Sequence, residues 1–397
     1  MNVKINGAKA FGVVDAIPSK SYAHRISICN FLSGNAPYSE CGNFKSKDIE
    51  ATENCLQAVL DGKTLLDCGE SGSTLRFLLP LMSAVGGEFT FVGHGKLMQR
   101  PNEELFKVLN EHGVCTEKTD CIKIKGKLVA GDYHIRGDIS SQYVSGLLMA
   151  LPFLDGDSRI ILTTPLNSAP YVDITLEVLK NFNIDILKEK DGFYIKGNQK
   201  YCGKVLPEGD WSNSAFFLVL GAICGDVTVK GLNLKSAQGD KYITEILKSS
   251  GAEICVEENE IRVKKSSLKG FSFDAESCPD LVPIASVLGA FSKGVSIIKN
   301  VERLKIKESD RITTTIDMLA SFNVKAEYNG KDLIVYGGSP TNGRADSYND
   351  HRIAMSVAVI ATAVDGESEL TNAQAVSKSY PTFFEDLRKV GGKFLDV

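Results

Sequence analysis

One signature recurs six times along this chain: a short polar patch opens an apolar run of helix length. The patches begin at Ser19, Ser71, Ser140, Ser212, Asp280 and Asp350, spaced 52, 69, 72, 68 and 70 residues apart. A second signature interleaves with the first. Leu109, Leu179, Leu247, Leu319 and Leu387 sit 70, 68, 72 and 68 residues apart on amphipathic stretches. Those stretches end at Gly113, Asn183, Gly251, Asn323 and Gly391, residue types that tolerate a left-handed helix cap. An alternating segment follows, such as Ala252–Glu257, then a turn and Ile261–Val263, which reads as a hairpin. The stretch Glu53–Leu66 reads as a shorter, weaker first copy. The unit is two helices and about four strands in roughly 70 residues, which is neither a solenoid of short repeats nor a Rossmann alternation. The expected fold class is α/β.

Three copies fall in residues 19–207 and three in 208–397, and a strand at Asn2–Ile5 precedes the first opening. That strand is expected to complete the second half, giving one lobe of 19–207 and another of 1–18 plus 208–397. The chain would then cross twice, near Ile17-Pro18 and Pro207-Glu208, an arrangement suited to lobes closing on a ligand. A net charge of −4 and a pI near 5.9 argue against a nucleic-acid or membrane-surface protein. The apolar run Ala215–Cys224 is too short to span a bilayer, and the N-terminal residues carry no apolar h-region. Ten cysteines without a C-x-x-C pair and five histidines without ligand spacing suggest reduced cytoplasmic thiols and no metal site.

Ser, Thr and Asp at the openings are good N-caps, and capping alone accounts for any one of them. The cations there need another reason, because a positive side chain at a helix start opposes the dipole and a bound anion offsets that cost. The first opening carries Lys20, Ser21 and Arg25; the second has Gly72, which lets a ligand approach the backbone, and the third offers Ser140, Ser141 and Gln142. Asp280 is expected to open an apolar helix, as its cap or as a carboxylate in a cationic cleft. The densest cluster, Arg303–Arg311, holds four cations and two carboxylates. If Lys307 starts the helix bearing Ile312, Ile316 and Leu319, then Lys307 and Arg311 are i,i+4 neighbours, and Glu308 and Arg311 are i,i+3. Arg352 and Lys378 add a fork and a point charge, suiting a ligand with carboxylate and phosphate groups.

Ordered along the chain, these strings resemble the 5-enolpyruvylshikimate-3-phosphate synthases of the enolpyruvyl transferase family. The matching motifs are Pro18-Ser-Lys-Ser with Arg25, Gly72-Ser73 with Arg76, Gln99-Arg100-Pro101, Ser140-Ser-Gln142, Ser168 with Pro170-Tyr171, Pro279-Asp280, Lys307-Glu308 with Asp310-Arg311, Tyr348-Asn-Asp-His-Arg352, and Lys378. The resemblance implies a two-lobed α/β fold of six βαβαββ units, three per lobe. It implies transfer of the enolpyruvyl group of phosphoenolpyruvate to the 5-hydroxyl of shikimate 3-phosphate, with release of phosphate, in aromatic amino acid biosynthesis. Neither metal nor organic cofactor is implied, and the family expectation is a cytoplasmic monomer acting on small molecules.

By the same resemblance Lys20, Arg100 and Lys378 hold the phosphoenolpyruvate phosphate, lined by Gly72, while Arg311 and Arg352 fork onto its carboxylate. Lys20, Ser21, Arg25, Ser140, Ser141, Gln142 and Ser168 hold shikimate 3-phosphate, with Gln142 near both ligands and Asp280 and Lys307 at the ring hydroxyls. Glu308 is the expected acid, assisted by Lys20, and Asp280 the expected base. Room beside Gly72 leads to an expected inhibition by glyphosate. Three positions depart from the pattern: Glu70 where Asn is frequent, Ala169 where a basic residue is common, and Arg303 at a usually uncharged site. The alternatives are a transferase acting on UDP-N-acetylglucosamine, which would carry an acid such as Cys in the loop Gly93–Pro101, and an RNA 3′-phosphate cyclase, which would need a basic face. A non-catalytic phosphometabolite-binding protein would need neither Asp280 nor Glu308.

Overall fold

A computed structural model describes residues 1–38 and 45–396. Its contacts divide the chain into two compact units, Met1–Pro18 with Glu208–Val397, and Ser19–Pro207. The first unit begins with two strands, β1 (Val3–Asn6) and β2 (Ala10–Asp15).

Ser19–Pro207 opens with α1 (Lys20–Leu32) and α2 (Lys47–Leu60). There follow β3 (Leu65–Asp67), α3 (Gly72–Val85), β4 (Gly87–Val92), α4 (Glu103–Glu111), β5 (Val114–Lys118) and β6 (Ile122–Gly126). They form a four-stranded sheet in the order β3-β4-β6-β5, with β3 and β4 parallel and the other pairs antiparallel. The parallel pair needs a crossover, which α3 supplies, and the last pair is a hairpin. The same βαβαββ pattern repeats in β7 (Asp132–Ile135), α5 (Ser141–Ala150), β8 (Ser158–Leu162), α6 (Ala169–Asn181), β9 (Ile186–Glu189) and β10 (Gly192–Ile195), ordered β7-β8-β10-β9.

In the other unit, α7 (Trp211–Cys224), β11 (Gly225–Lys230), α8 (Ile243–Ser249), β12 (Glu253–Val256) and β13 (Glu260–Lys264) take β2 as their parallel edge strand, in the order β12-β13-β11-β2. Next come β14 (Ser272–Asp274), α9 (Val282–Ala290), β15 (Val295–Lys299), α10 (Arg311–Ser321), β16 (Ala326–Tyr328) and β17 (Leu333–Tyr336), ordered β14-β15-β17-β16. The last set is β18 (Arg344–Asp346), α11 (His351–Ala363), β19 (Glu367–Thr371), α12 (Phe383–Lys389) and β20 (Lys393–Asp396). Here β1 inserts between β19 and β20, antiparallel to both. Five such sheets are present among the described residues; α1 and α2 have none of their own there.

The repeat has a local cause. Gly113, Asn183, Gly251, Asn323 and Gly391 all take positive φ, +91, +59, +81, +60 and +98°, and each ends the second helix of its set. The five aligned leucines are fully buried, each stabilising its helix against the sheet by about 1.5–3 kcal/mol. The first copy differs from the sequence reading. Its helix α2 has 14 residues, capped by Ser46 accepting from Ile49 N, and ends at Asp61 before Gly62 at φ +76°. Its polar first turn, Lys47-Asp48-Ile49-Glu50, hides that length from a search for apolar periodicity.

The first helices of the sets are buried on all sides, which requires neighbours all round. Every residue of α7 and α9 is buried, and α7, α9 and α11 pack on one another, bringing their starts together. In Ser19–Pro207, α3 and α5 meet closely at Gly146, where a Cβ would lie 2.7 Å from the Arg76 carbonyl oxygen. That carbonyl is four residues before Pro80, which has no N–H to bond it. No described helix is long and apolar enough to cross a membrane.

Candidate active site

In Ser19–Pro207 the candidate residues lie at the starts of α1, α3, α5 and α6. Lys20, the first residue of α1, donates to Asp48 Oδ2 at 2.8 Å. Ser21 offers its carbonyl to Arg25 Nη1, one turn on, at 2.6 Å. Arg25 is buried and spends its other bonds on Thr175, Ser145 and the Tyr171 carbonyl. Burial lowers its pKa to about 10, and four of its five N–H groups are committed, so it clamps α1 to α5 and α6. Ser140 caps α5 by accepting from Gln142 N, with Ser141 buried beside it. Gln142 donates to Ser73 Oγ at 2.8 Å and accepts from Arg76 Nη1 at 2.9 Å, tying the start of α5 to the start of α3. Arg76 also bonds Asn102 and the Pro101 carbonyl, so it sets the Arg-Pro turn as well, a role that its motif alone does not reveal. Ser168 precedes α6 at φ +54°, a strained conformation for a residue with a side chain, and lies buried.

Gly72 corrects an expectation. The space beside it is taken by Arg100: a Cβ built on Gly72 would lie 2.5 Å from Arg100 Nη1. Glycine here lets a guanidinium lie against the start of α3.

In the other unit a second group gathers where α7, α9 and α11 begin. Asp280 does not cap a helix. It sits in a 3₁₀ turn, Pro279–Leu281, without a capping bond, and α9 begins after it at Val282. Its Oδ1 accepts from Arg311 Nη1 at 2.7 Å and Lys307 Nζ at 3.5 Å, and its Oδ2 from Arg352 Nη2 at 3.4 Å. Burial alone would raise its pKa, but Lys307, Arg352 and Arg311 outweigh burial and hold it well below 3.8. Lys307 also departs from expectation. It ends a 3₁₀ turn over Glu302–Ile306 in an extended conformation, and α10 starts at Arg311 with Asp310 as its cap. Burial lowers the Lys307 pKa, against the pull of Asp280. The Glu308–Arg311 contact does form, at 2.7 Å.

Arg311 is 1% exposed and binds three carboxylates: Asp280, Glu308, and Asp350 at 2.7 Å through Nε. Burial works against its charge, but Asp350, Glu308 and Asp280 raise its pKa well above the ordinary guanidinium value. Asp350 is wholly buried, accepts from Ser309 Oγ and caps α11 through Arg352 N. The cap reading given to the openings holds here; the bond of Asp350 to Arg311 is what the sequence does not show. The two arginines are unequal. Arg352 is 3% exposed, its Nη2 reaches Asp280, and its Nε and Nη1 are buried with no hydrogen-bond partner among the described residues. Its donors suit a planar acceptor such as a carboxylate. Lys378, 7% exposed, donates to the Asn349 carbonyl at 2.6 Å, where Tyr348 and Asn349 both take positive φ. Asp240, absent from the sequence reading, is buried nearby. Burial and Asp280 raise its pKa to about 7, while Arg352 lowers it.

The family model for EPSP synthase (3-phosphoshikimate 1-carboxyvinyltransferase) matches residues 45–387. Proteins named 3-phosphoshikimate 1-carboxyvinyltransferase from Clostridium kluyveri and Clostridium novyi are 40% and 38% identical to this chain. The matches cover 98% of the chain in each case, and 97% and 98% of those proteins. Two solved structures share the fold. An EPSP synthase from Acinetobacter baumannii has a TM-score of 0.79 at 23% identity, covering all of both chains. The enolpyruvyl transferase NikO from Streptomyces tendae has a TM-score of 0.78 at 17% identity, covering 99% of this chain and 98% of that one. On the family model and on relatives near 40% identity along almost its whole length, the chain belongs to the EPSP synthase family.

Proposed function

We propose that this chain transfers the enolpyruvyl group of phosphoenolpyruvate to the 5-hydroxyl of shikimate 3-phosphate and releases phosphate. The observation that carries the mechanism is Asp280, an anionic carboxylate bonded by Arg311, Lys307 and Arg352. A carboxylate kept ionised among cations can accept a proton from a ligand hydroxyl in a region that otherwise favours anions.

In this reading Asp280 takes the proton of the 5-hydroxyl as its oxygen bonds to C2 of phosphoenolpyruvate. Glu308, assisted by Lys20, delivers a proton to the methylene carbon, giving a tetrahedral intermediate. The C–O bond to phosphate then breaks, the Glu308 carboxylate takes back a methyl proton, and the enol ether forms. Glu308 accepts from Arg311 at 2.7 Å. A substrate carboxylate that competes for Arg311 would loosen that bond and favour protonation of Glu308. Arg352 has the more open donors for that carboxylate, and Arg311 shares it. Lys20, Arg100 and Lys378 hold the phosphate, with Gly72 lining it; Ser21, Arg25, Ser140, Ser141, Gln142, Ser168 and Lys307 serve shikimate 3-phosphate. The committed donors of Arg25 make most of its contribution one of positioning Ser21 and the start of α6. The test is phosphate release from phosphoenolpyruvate in the presence and absence of shikimate 3-phosphate. Release that does not depend on shikimate 3-phosphate ends this reading.

A further inference from the structure

His24 is a buried titratable group that this mechanism does not use. It stands on the face of α1 toward α2, 1% exposed, with Phe77 edge-on to its ring. His24 Nδ1 lies 2.7 Å from Thr52 Oγ1 on α2, and Thr52 Oγ1 lies 2.6 Å from Thr74 Oγ1 on α3. Thr74 Oγ1 donates at 2.7 Å to Ser71 Oγ, the cap of α3, which also accepts from Thr74 N. All four side chains are 1% exposed or less.

We propose that His24, Thr52 and Thr74 form a one-way hydrogen-bond chain that positions the first turn of α3 for the reaction, with Thr52 as the link on which it depends. The direction follows from counting protons, since each hydroxyl has one. Thr74 gives its proton to Ser71, so the short bond between the threonines is donated by Thr52. Thr52 has then none to offer His24, and His24 must donate from Nδ1. The longer contacts of Thr74 and Thr52 with the Asp48 carbonyl, at 3.3 and 3.4 Å, do not change this: a Thr52 proton spent there is equally lost to His24. The nitrogen left without a partner is Nε2, so the neutral ring buries a lone pair and not an N–H. Burial, with Lys20 and then Arg25 nearby, pushes the His24 pKa well below 6.5 and keeps the ring neutral. The chain ends at the cap immediately before Gly72 and Ser73. The turn of α2 that carries Thr52 also carries Asp48, the partner of Lys20, so one helix turn sets both starts.

The role of α3 rests on the proposed function, so two measurements separate the ideas. Nitrogen-15 NMR of labelled histidine in the full chain, with the His24 signals assigned by their loss in His24→Asn, should show a neutral Nδ1–H tautomer that does not titrate between about pH 5.5 and 8. An Nε2–H tautomer overturns the chain whatever the activity. In kinetics, Thr52→Val should raise KM for phosphoenolpyruvate about three- to tenfold, as for one lost buried hydrogen bond, with kcat within about twofold. Thr52→Ser should restore it. An unchanged KM in Thr52→Val, or a serine variant as impaired as the valine, overturns the positioning role. If Thr52→Val does not fold, Thr52→Ser and the tautomer still decide. Wild type without shikimate 3-phosphate-dependent phosphate release refutes the functional reading alone.

Discussion

Removing the charge of Asp280 should separate turnover from binding. Its carboxylate is bonded by Arg311 at 2.7 Å, Arg352 at 3.4 Å and Lys307 at 3.5 Å. Asp280→Asn keeps the volume and leaves Arg311 its bonds to Asp350 and Glu308, so the local fold should survive. A positioned general base contributes about 10²- to 10⁴-fold, or about 3–5 kcal/mol of barrier, and kcat should fall by that much. Binding should move the other way. A unit charge about 4 Å from a cation is worth about 4 kcal/mol at an effective dielectric near 20, so losing one carboxylate leaves the surroundings more attractive to a phosphate or carboxylate. The Kd for phosphoenolpyruvate should stay level or fall. The assay is phosphate release at saturating substrates, with Kd measured calorimetrically in the presence of shikimate 3-phosphate; Asp280→Ala is the companion variant. A kcat within about threefold of wild type, or a loss confined to KM, would refute the role of base.

Gly72→Ala places a Cβ 2.5 Å from Arg100 Nη1, so the guanidinium must withdraw. KM for phosphoenolpyruvate should rise, and inhibition by glyphosate, expected to be competitive with phosphoenolpyruvate in wild type, should weaken; an inhibition constant that does not move sinks this account. Asp350→Asn removes the buried charge beside Arg311 and turns one of the two acceptors of its Nε and Nη2 into a donor, which should cost about 3–5 kcal/mol, seen as a fall in Tm of about 10 °C. An unchanged Tm would mean that Glu308 and Asp280 suffice. Asp240 is raised from 3.8 to about 7, chiefly by burial, so the folded chain holds a proton that the unfolded chain releases. Its contribution to stability is present below about pH 4 and fades as pH rises through about 7, by at most about 4 kcal/mol. Asp240→Asn should therefore gain in urea midpoint over wild type between pH 5 and 8; equal slopes would contradict the assignment.

The elements that sequence reveals here are those with local causes. A leucine every 70 residues or so and a Gly or Asn after each helix act within one helix and its turn, and both appear in the structure at the expected residues. Of the two readings of Asp280, the helix cap fails and the carboxylate in a cationic cleft holds, because local rules favour Asp as a cap and are blind to distant partners; Lys307 does not start a helix. In the structure three cations from α10, α11 and the turn before α10 claim the carboxylate instead. Arg76 and Asp240 went unassigned, and the bond of Asp350 to Arg311 unseen, for the same reason, since their partners are far off in sequence and only packing brings them close. The crowding of Arg100 against Gly72 belongs to this class: residue type suggests open space, and tertiary contact fills it.

The placement of β1 between β19 and β20 bears on the order in which the chain can be made and folded. Lys4 meets Glu367 across 363 residues of chain, and β2 likewise waits for β11. During synthesis Ser19–Pro207 emerges with the partners of all its described strands inside its own span, whereas β2 must wait for β11 and β1 must remain unpaired until the C-terminal residues appear. Refolding should therefore be biphasic, with protection of the amides of β4 and β8 preceding that of β1. Joining residues 1–18 to the C-terminal side by circular permutation at Pro18-Ser19 should remove the delay without altering a single sheet.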